Sequence, residues 1–273
     1  MAIVTSKGID PSVVHSTPRA ATRALLAHWQ RQEYTRDLLA RGAVWEPACG
    51  SMAIVRELEA ADPPPPRVIS SDVYPREGAT FAKPLDFLAQ TNPPADRINR
   101  PRLIITNPPF SLATQFMDIG LRWVDGVPGA ALALFLPLGA LGGQLRASAI
   151  YAQAAPSQLL ILSERVDIFP DGYVPEPGKH RGGVIEYGWF LWYNDPEGQL
   201  MGYRQQAAHG MNPMVWVMPG ELAALDPETA RSRKDRSRRN KQGAAALSRA
   251  KKQRAILAAD QIIEQENEHG GDK

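Results

Sequence analysis

The chain has 273 residues, 44% of them hydrophobic, and a formal net charge of +2. A chain of this size can bury one α/β core of ordinary dimensions and leave a short appendage. Its apolar runs are shorter than the roughly 20 residues that cross a bilayer, and the amino terminus lacks a secretory pattern, so we expect a soluble, cytoplasmic protein with no membrane partner. The single cysteine, Cys49, excludes an internal disulfide, and the five histidines lack metal-ligand spacing, so we expect no metal.

Basic residues are concentrated near the carboxyl terminus. Residues 231–273 hold 12 of the 31 lysines and arginines but only 6 of the 29 acidic residues. Such a segment favours polyanions, although a solvated tail that keeps the protein in solution has the same composition. We therefore predict a core domain over residues 1–228 and a basic tail, helical or disordered, over 229–273. The tail residues expected to contact nucleic acid are Arg231, Arg233, Lys234, Arg236, Arg238 and Arg239.

The predicted elements alternate as in an α/β sheet. Thr17 as a cap and Pro18 at the first helical position predict a helix, which helix-forming residues continue over 20–39. From residue 43 onward, short apolar runs alternate with helical stretches, which indicates βαβ units and a mostly parallel sheet. The predicted strands are 43–46, 68–72, 103–106, 130–136, 158–162, 186–193 and 214–218, with helices over 53–61 and 142–154.

The last two predicted strands are candidates for an antiparallel pair at the sheet edge. The Gly- and Pro-rich stretch 169–183, which precedes them, predicts an exposed loop. Its Lys179 and Arg181 are further candidates for nucleic-acid contact, or ordinary loop charges.

Four polar side chains stand where predicted strands end: Glu46, Asp72, Asp86 and Asn107. Ligands of doubly wound sheets bind outside the carboxyl ends of the strands, so this placement predicts a polar cleft. The Asp72 carboxylate suits the two hydroxyls of a ribose. Asp86 suits an adenine amine, with the apolar Phe87 against the ring. Any one of them, taken alone, is also compatible with an ordinary cap or turn.

The turn Glu46-Pro47-Ala48-Cys49-Gly50 leads out of the first predicted strand into a helix. Glycine at its end lets the backbone approach a ligand closely. A plain connection between strand and helix is the structural alternative.

The run Thr106-Asn107-Pro108-Pro109-Phe110 directly follows an apolar strand. The two prolines fix the backbone, so the Asn107 side chain and the Pro108 carbonyl can be rigid acceptors. Acceptors that bind both hydrogens of an adenine N6 amine draw its lone pair towards a methyl donor, and Phe110 is placed to stack on the base. Asn92-Pro93-Pro94 has the same three letters without a preceding strand or a following aromatic, and predicts only a loop.

Together these motifs resemble those of the S-adenosylmethionine-dependent N6-adenine DNA methyltransferases of the Asn-Pro-Pro-Phe type, including small phage and prophage enzymes. The resemblance spans about residues 17–193. It implies a Rossmann-like class I methyltransferase fold, with a mostly parallel seven-stranded sheet and helices on both faces. The implied cofactor is S-adenosylmethionine and the implied partner is DNA, in the cytoplasm of a bacterial or phage-infected cell.

The resemblance also implies roles for individual residues. The implied cofactor-binding residues are Thr17, Pro18, Glu46, Pro47, Ala48, Cys49, Gly50, Asp72, Asp86 and Phe87. The implied catalytic residues are Asn107, Pro108, Pro109 and Phe110.

Met52 departs from the family pattern, which usually has a second glycine at this point. A side chain there could narrow the cofactor site, or the backbone could simply take ordinary torsions. Cys49 resembles a family position that packs beneath the cofactor. Because no basic partner is evident to activate it as a nucleophile, we interpret it as structural.

The implied reaction moves a methyl group to adenine N6 in DNA after the base is flipped out of the duplex. Two alternatives stay open: the same fold acting on RNA or on a protein glutamine amide, and an inactive nucleic-acid-binding protein with this fold. Little chain is left for a recognition domain, so we expect short or loose target specificity. The sequence leaves the oligomeric state open.

Overall fold

The computed structural model describes residues 14–81, 83–92, 100–168 and 185–227. Up to Asp226, these residues belong to one compact unit. The loop 169–183 and the basic tail lie outside the described residues, and so do the residues expected there to bind nucleic acid: Lys179, Arg181, Arg231, Arg233, Lys234, Arg236, Arg238 and Arg239.

One sheet organises the described chain. Its strands are β1 (Ala43–Glu46), β2 (Arg67–Ser70), β3 (Leu103–Thr106), β4 (Ala131–Pro137), β5 (Gln158–Leu162), β6 (Tyr187–Tyr193) and β7 (Met214–Val217). Their spatial order is β2-β1-β3-β4-β6-β5-β7. β6 runs antiparallel to both of its neighbours, and every other pair is parallel.

Helices cover both faces of this sheet. They are α1 (Arg19–Arg31), α2 (Ala53–Glu59), α3 (Ala113–Val124), α4 (Gln144–Arg146), α5 (Tyr203–Ala208) and α6 (Glu221–Leu225), and a π-helical turn, Ala147–Tyr151, continues α4. Apolar side chains of α1, α2 and α6 pack in one core cluster, as Leu25, Ile54 and Leu222 do. Side chains of α3 and of the π-helical turn pack in a second cluster, as Phe116 and Ile150 do. Because the side chains of a strand alternate between its faces, β3 contributes to both clusters.

The predicted fold class is confirmed: the sheet is Rossmann-like, mostly parallel and seven-stranded, with helices on both faces. The strands predicted at 43–46, 103–106 and 158–162 begin and end where expected. The strand predicted at 68–72 ends at Ser70, and the helix predicted over 142–154 covers 144–151. No helix in the described part of the chain is long and apolar enough to span a membrane.

The predicted antiparallel pair of late strands is wrong. β6 lies between β4 and β5 and pairs with both, while β7 pairs in parallel with β5 at the sheet edge. The physical reason is burial, because all seven residues of β6 are buried and an edge strand would leave them exposed. A local sequence pattern does not predict which strands pair when they are distant in the chain.

The long first helix is also shorter than predicted. It ends at Arg31 because Gln32 adopts an extended ψ of 131°. The Thr35 hydroxyl then donates to the carbonyl of Trp29, which satisfies one carbonyl at the helix end. At the other end, Pro18 rather than Thr17 occupies the cap position, and no side chain caps the helix.

A buried polar network fastens α1 to the sheet. The ring nitrogen Nε2 of His28 lies 2.7 Å from Gln158 Oε1 in β5, and the indole of Trp29 donates to the Tyr193 hydroxyl at 2.9 Å. Desolvation by burial is the largest cause that lowers the pKa of His28. The folded protein therefore favours the neutral ring.

This burial predicts a pH-dependent stability. An unfolded histidine titrates at about pH 6.5, so the unfolded chain binds a proton that folded His28 resists. The free energy of unfolding should rise as pH increases towards that value and level off above it. Urea unfolding from pH 5 to 8 measures this slope. It should be shallower in His28→Gln and unchanged in the control His209→Gln, whose residue is exposed; equal slopes for both variants would contradict the assignment.

Candidate active site

Parallel pairing brings three of the predicted polar residues to one edge of the sheet. Glu46 is in register with Ser70 of β2, and Trp45 is in register with Ile104 of β3. Asp72 and Asn107 follow those two strands, so both emerge beside the end of β1. The loops are joined there, since the Ser71 amide donates to the Glu46 carbonyl at 3.0 Å and the Cys49 amide donates to the Ser71 carbonyl at 2.9 Å.

The Asp72 carboxylate links the loops that follow β1 and β2. Its side chain is 7% exposed. Oδ2 accepts from the Gly50 amide and Oδ1 from the Tyr74 amide, each at 2.9 Å, and the Arg76 Nε lies 3.4 Å from Oδ2. Each carboxylate oxygen has a second lone pair, so Asp72 can hold the loop and still accept from a ligand hydroxyl.

Glu46 is the most deeply buried acidic group of this edge. Its side chain is 2% exposed, and among the described residues its Oε2 atom has no hydrogen-bond partner. Desolvation raises the pKa of Glu46 well above its usual range, and the charge of Asp72 raises it further, against the opposing backbone amide of Val55. The free site therefore favours a protonated, neutral Glu46.

Cys49 lies beside these two carboxyl groups and is buried. Burial and the charges of Glu46 and Asp72 raise the pKa of its thiol to about 12. A thiol in this environment stays protonated, which agrees with a structural role and disfavours a nucleophilic one. Its neighbours in the turn, Pro47 and Ala48, are buried and half-buried.

The turn closes with two left-handed residues. Gly50 has φ 47° and Met52 has φ 65°, so the alternative that Met52 takes ordinary torsions is wrong. The Met52 amide donates to the Cys49 carbonyl at 2.7 Å and its carbonyl accepts from the Arg56 amide, so the residue both ends the turn and begins α2. The chain tolerates here a conformation that glycine adopts without strain.

A short segment before α1, residues 14–17, lies across this edge; we call it the strap. A Cβ atom on Gly50 would sit 2.7 Å from Val14 Cγ1, and the hydroxyls of Ser16 and Ser51 are 2.5 Å apart. Thr17, predicted to bind the cofactor, is 6% exposed. The strap therefore contacts the turn on which the cofactor prediction rests.

The strap also fixes the amide of Asn107. The Asn107 Nδ2 group donates to the backbone carbonyl of His15 at 3.2 Å. The other amide atom, Oδ1, is buried and has no partner among the described residues. Because the donor end is held, the acceptor end has a defined direction and a free hydrogen-bonding capacity.

Phe110 follows Asn107 by three residues and is partly open to solvent, with an exposed fraction of 39%. Pro108 is buried and Pro109 is exposed. The Phe110 ring lies 5.7 Å from the Tyr187 ring, which in turn stacks on Phe135 at 5.4 Å. The sequence interpretation missed Tyr187. Its only signal in the sequence was an aromatic residue near the start of a predicted strand. Phe110, the ring that it contacts, is distant in the chain.

Asp86 and Phe87 reach the same region in different ways. The Leu85 amide donates to the Asp72 carbonyl at 2.8 Å, which places this segment beside Asp72. Asp86 is exposed, and its Oδ1 caps the short turn Phe87–Ala89 by accepting from the Leu88 amide. Phe87 is 2% exposed and packs edge-on against Trp45. It supports the loop from the core, and its direct contact with a cofactor stays a prediction.

No group of three or more His, Cys, Asp or Glu side chains in the described ranges could hold a metal ion.

Comparison with known proteins finds no matching family model and no matching curated protein. Solved structures similar to this chain include a methyltransferase subunit of the type I restriction-modification system from Streptococcus thermophilus, with a TM-score of 0.43 and 13% identity over 64% of this chain and 43% of that one. A candidate class I S-adenosylmethionine-dependent methyltransferase from Listeria monocytogenes gives 0.43 and 16% over 69% and 63%. A candidate RNA methyltransferase from Pyrococcus horikoshii gives 0.40 and 14% over 69% and 91%. The chain spans less than two thirds of the length of the first two proteins.

The left-handed backbone of Met52 predicts which of two substitutions at this position is the more stable. Met52→Gly and Met52→Ala remove the same side chain beyond Cβ, but only glycine relieves the left-handed backbone. The glycine variant should therefore exceed the alanine variant in free energy of unfolding by about 1 kcal/mol. Chemical denaturation of the two variants measures the difference. A glycine variant no more stable than the alanine variant would show that the loop relaxes to another conformation.

Proposed function

We propose that this protein transfers the methyl group of S-adenosylmethionine to the N6 amine of adenine in DNA. The observation that carries the proposal is the Asn107 side chain, whose oxygen is buried without a partner among the described residues while its nitrogen is held by His15. A buried acceptor left unpaired costs about 1–3 kcal/mol. When a fold keeps an unpaired acceptor at a sheet edge, we expect a ligand to supply the hydrogen-bond donor. An aromatic amine is such a donor.

The neighbouring loops suit the methyl donor. S-adenosylmethionine presents an amino group and two ribose hydroxyls, all of them hydrogen-bond donors. Glu46 and Asp72 are acceptors at the edge, one with an unpartnered oxygen and one with spare lone pairs. When bound, the sulfonium supplies a methyl group for direct displacement, with no covalent enzyme intermediate.

The residues around Asn107 would prepare the amine. Asn107 Oδ1 and the Pro108 carbonyl accept its two hydrogens and orient the lone pair towards the methyl group. As the new N–C bond forms, the S–C bond breaks with its electron pair passing to sulfur, and the extra proton on nitrogen leaves to solvent. Positioning supplies most of the catalysis in such a step.

Phe110 would hold the base during transfer. Adenine N6 lies inside the duplex stack, so the base must be flipped out at a cost of a few kcal/mol. Stacking on an aromatic side chain returns about 1–3 kcal/mol per base. The partly exposed Phe110 ring, backed by Tyr187, offers a firm surface for it.

The acceptor is tested directly with the purified protein and labelled S-adenosylmethionine. Duplex DNA, structured RNA and a glutamine-containing peptide are offered in parallel, because each carries a planar nitrogen that Asn107 could hold. Mass spectrometry of the products should find N6-methyladenine from DNA. Methylated RNA or glutamine as the sole product would transfer the proposal to that substrate, and no transfer with bound cofactor would favour an inactive nucleic-acid-binding protein.

The role of Asn107 predicts a separation of binding from transfer. Asn107→Ala removes the acceptor for the target amine, so the rate of transfer should fall by about 100-fold or more, while cofactor affinity stays close to that of the wild type. Asn92→Ala is a matched control, since Asn92 is also followed by two prolines but is exposed and does not follow a strand. It should keep full activity. Retention of most activity by Asn107→Ala would refute the assignment.

The basic tail predicts a salt-dependent contribution to DNA affinity. The apolar elements that build the described core end before residue 231, so deletion from Arg231 onward should leave a folded, cofactor-binding protein. If the tail binds phosphates, the slope of log affinity against log salt should flatten by about 0.9 for each phosphate that is no longer neutralised. Fluorescence anisotropy over a salt series measures both slopes. Equal slopes would make the tail a solubility element.

A further inference from the structure

Glu46 resembles Asn107 in having a buried, unpartnered oxygen, but its side chain can also change its charge. The side chain is 2% exposed, and Oε2 finds no donor within the described ranges. An isolated carboxylate is costly to bury, and burial raises the pKa of Glu46 well above its usual range, which favours the neutral form. A ligand that brings positive charge nearby would reverse that preference.

The charged groups around Glu46 are compatible with a positively charged ligand. On the loop after β2, Asp72 carries the negative charge that acts on Glu46, and Arg76 pairs with Asp72 rather than with Glu46. The thiol of Cys49 is neutral. The remaining charged or titratable groups of the adjoining strap, α1 and α2 are His15, Arg19, Arg23, His28, Arg31, Arg56, Glu57 and Glu59, of which Arg19 and Arg23 are paired with Glu57.

The sheet sets how far Glu46 lies from the reacting atoms. β1 and β3 are adjacent, and the register of Trp45 with Ile104 places Glu46 beside Ile105, two residues before Asn107. Adjacent strands are about 4.8 Å apart. Glu46 and the loop that carries Asn107 therefore leave the same edge of the sheet on adjacent strands. A positive charge bound at this edge acts on a buried carboxyl group more strongly than it would in water.

Building on the proposed function, we propose that Glu46 distinguishes the methyl donor from the product by the charge on sulfur. The carboxyl group keeps its proton in the free site and releases it to solvent when the sulfonium binds. The product, S-adenosylhomocysteine, has a neutral thioether and leaves the proton in place. Donor affinity should therefore rise with pH, by at most tenfold per pH unit for one proton, while product affinity changes less. As pH rises, the affinity for the donor therefore increases relative to the affinity for the product, and product inhibition weakens.

Calorimetry on the full-length chain tests this with S-adenosylmethionine and S-adenosylhomocysteine at several pH values, each in two buffers of different ionisation enthalpy. The two ligands share their amino, carboxyl and ribose groups, so the difference in protons released isolates the effect of the sulfonium. Donor binding should release up to one proton more than product binding. An analogue with an ammonium group in place of the methylsulfonium should behave like the donor. Equal proton release for donor and product would overturn the inference.

Two variants assign the proton. Glu46→Gln preserves the shape of the neutral carboxyl group, so both ligands should still bind, but the difference in proton release should vanish. Glu59→Gln removes an exposed carboxyl group at the end of α2 and should leave the difference intact. A difference that persists in Glu46→Gln would overturn the inference while leaving the proposed function standing. Failure of the wild type to bind either ligand would instead overturn the proposed function, and this inference with it.

Discussion

Parallel pairing of β1 with β2 on one side and β3 on the other is the constraint on which the candidate site depends. Each strand has four residues, yet their registers fix where three loops emerge. Because the strands run in the same direction, Glu46, Asp72 and Asn107 come to one edge of the sheet. The core on both faces holds the register, since a slip of one residue would move each side chain to the opposite face, against a different core cluster.

Energetically unfavourable features of the structure lie at the same edge of the sheet. Glu46 Oε2, Thr106 Oγ1 and Asn107 Oδ1 are buried oxygens without hydrogen-bond partners among the described residues, and Met52, in the turn after β1, holds a left-handed backbone. Features of this kind persist where the surrounding structure enforces them, and they cluster at functional sites. Here the enforcing contacts are the strap, which holds the Asn107 amide, and Asp72, which holds the Gly50 amide.

The sequence predicts much of this fold because the central strands are continuous apolar runs, which leave little doubt about β3, β4 or β5. It also predicts the common edge of Glu46, Asp72 and Asn107, since strand ends share an edge in a parallel sheet; the roles of these residues stay predictions. What it misses depends on contacts distant in the chain. The insertion of β6 between β4 and β5, the packing of Tyr187 against Phe110, and the carbonyl of His15 on Asn107 all join segments with no shared local pattern.

In the proposed function, the acceptor of Asn107 receives the N6 amine of a flipped adenine. Long-read sequencing of plasmid DNA from cells that express the protein, compared with an empty-vector control, tests this role most directly because modified base and sequence context are recorded together. We expect N6-methyladenine in the expressing cells only, at a site of very few fixed bases or in many contexts at graded levels. Unmodified adenine throughout, with folded protein present in the cells, would contradict it.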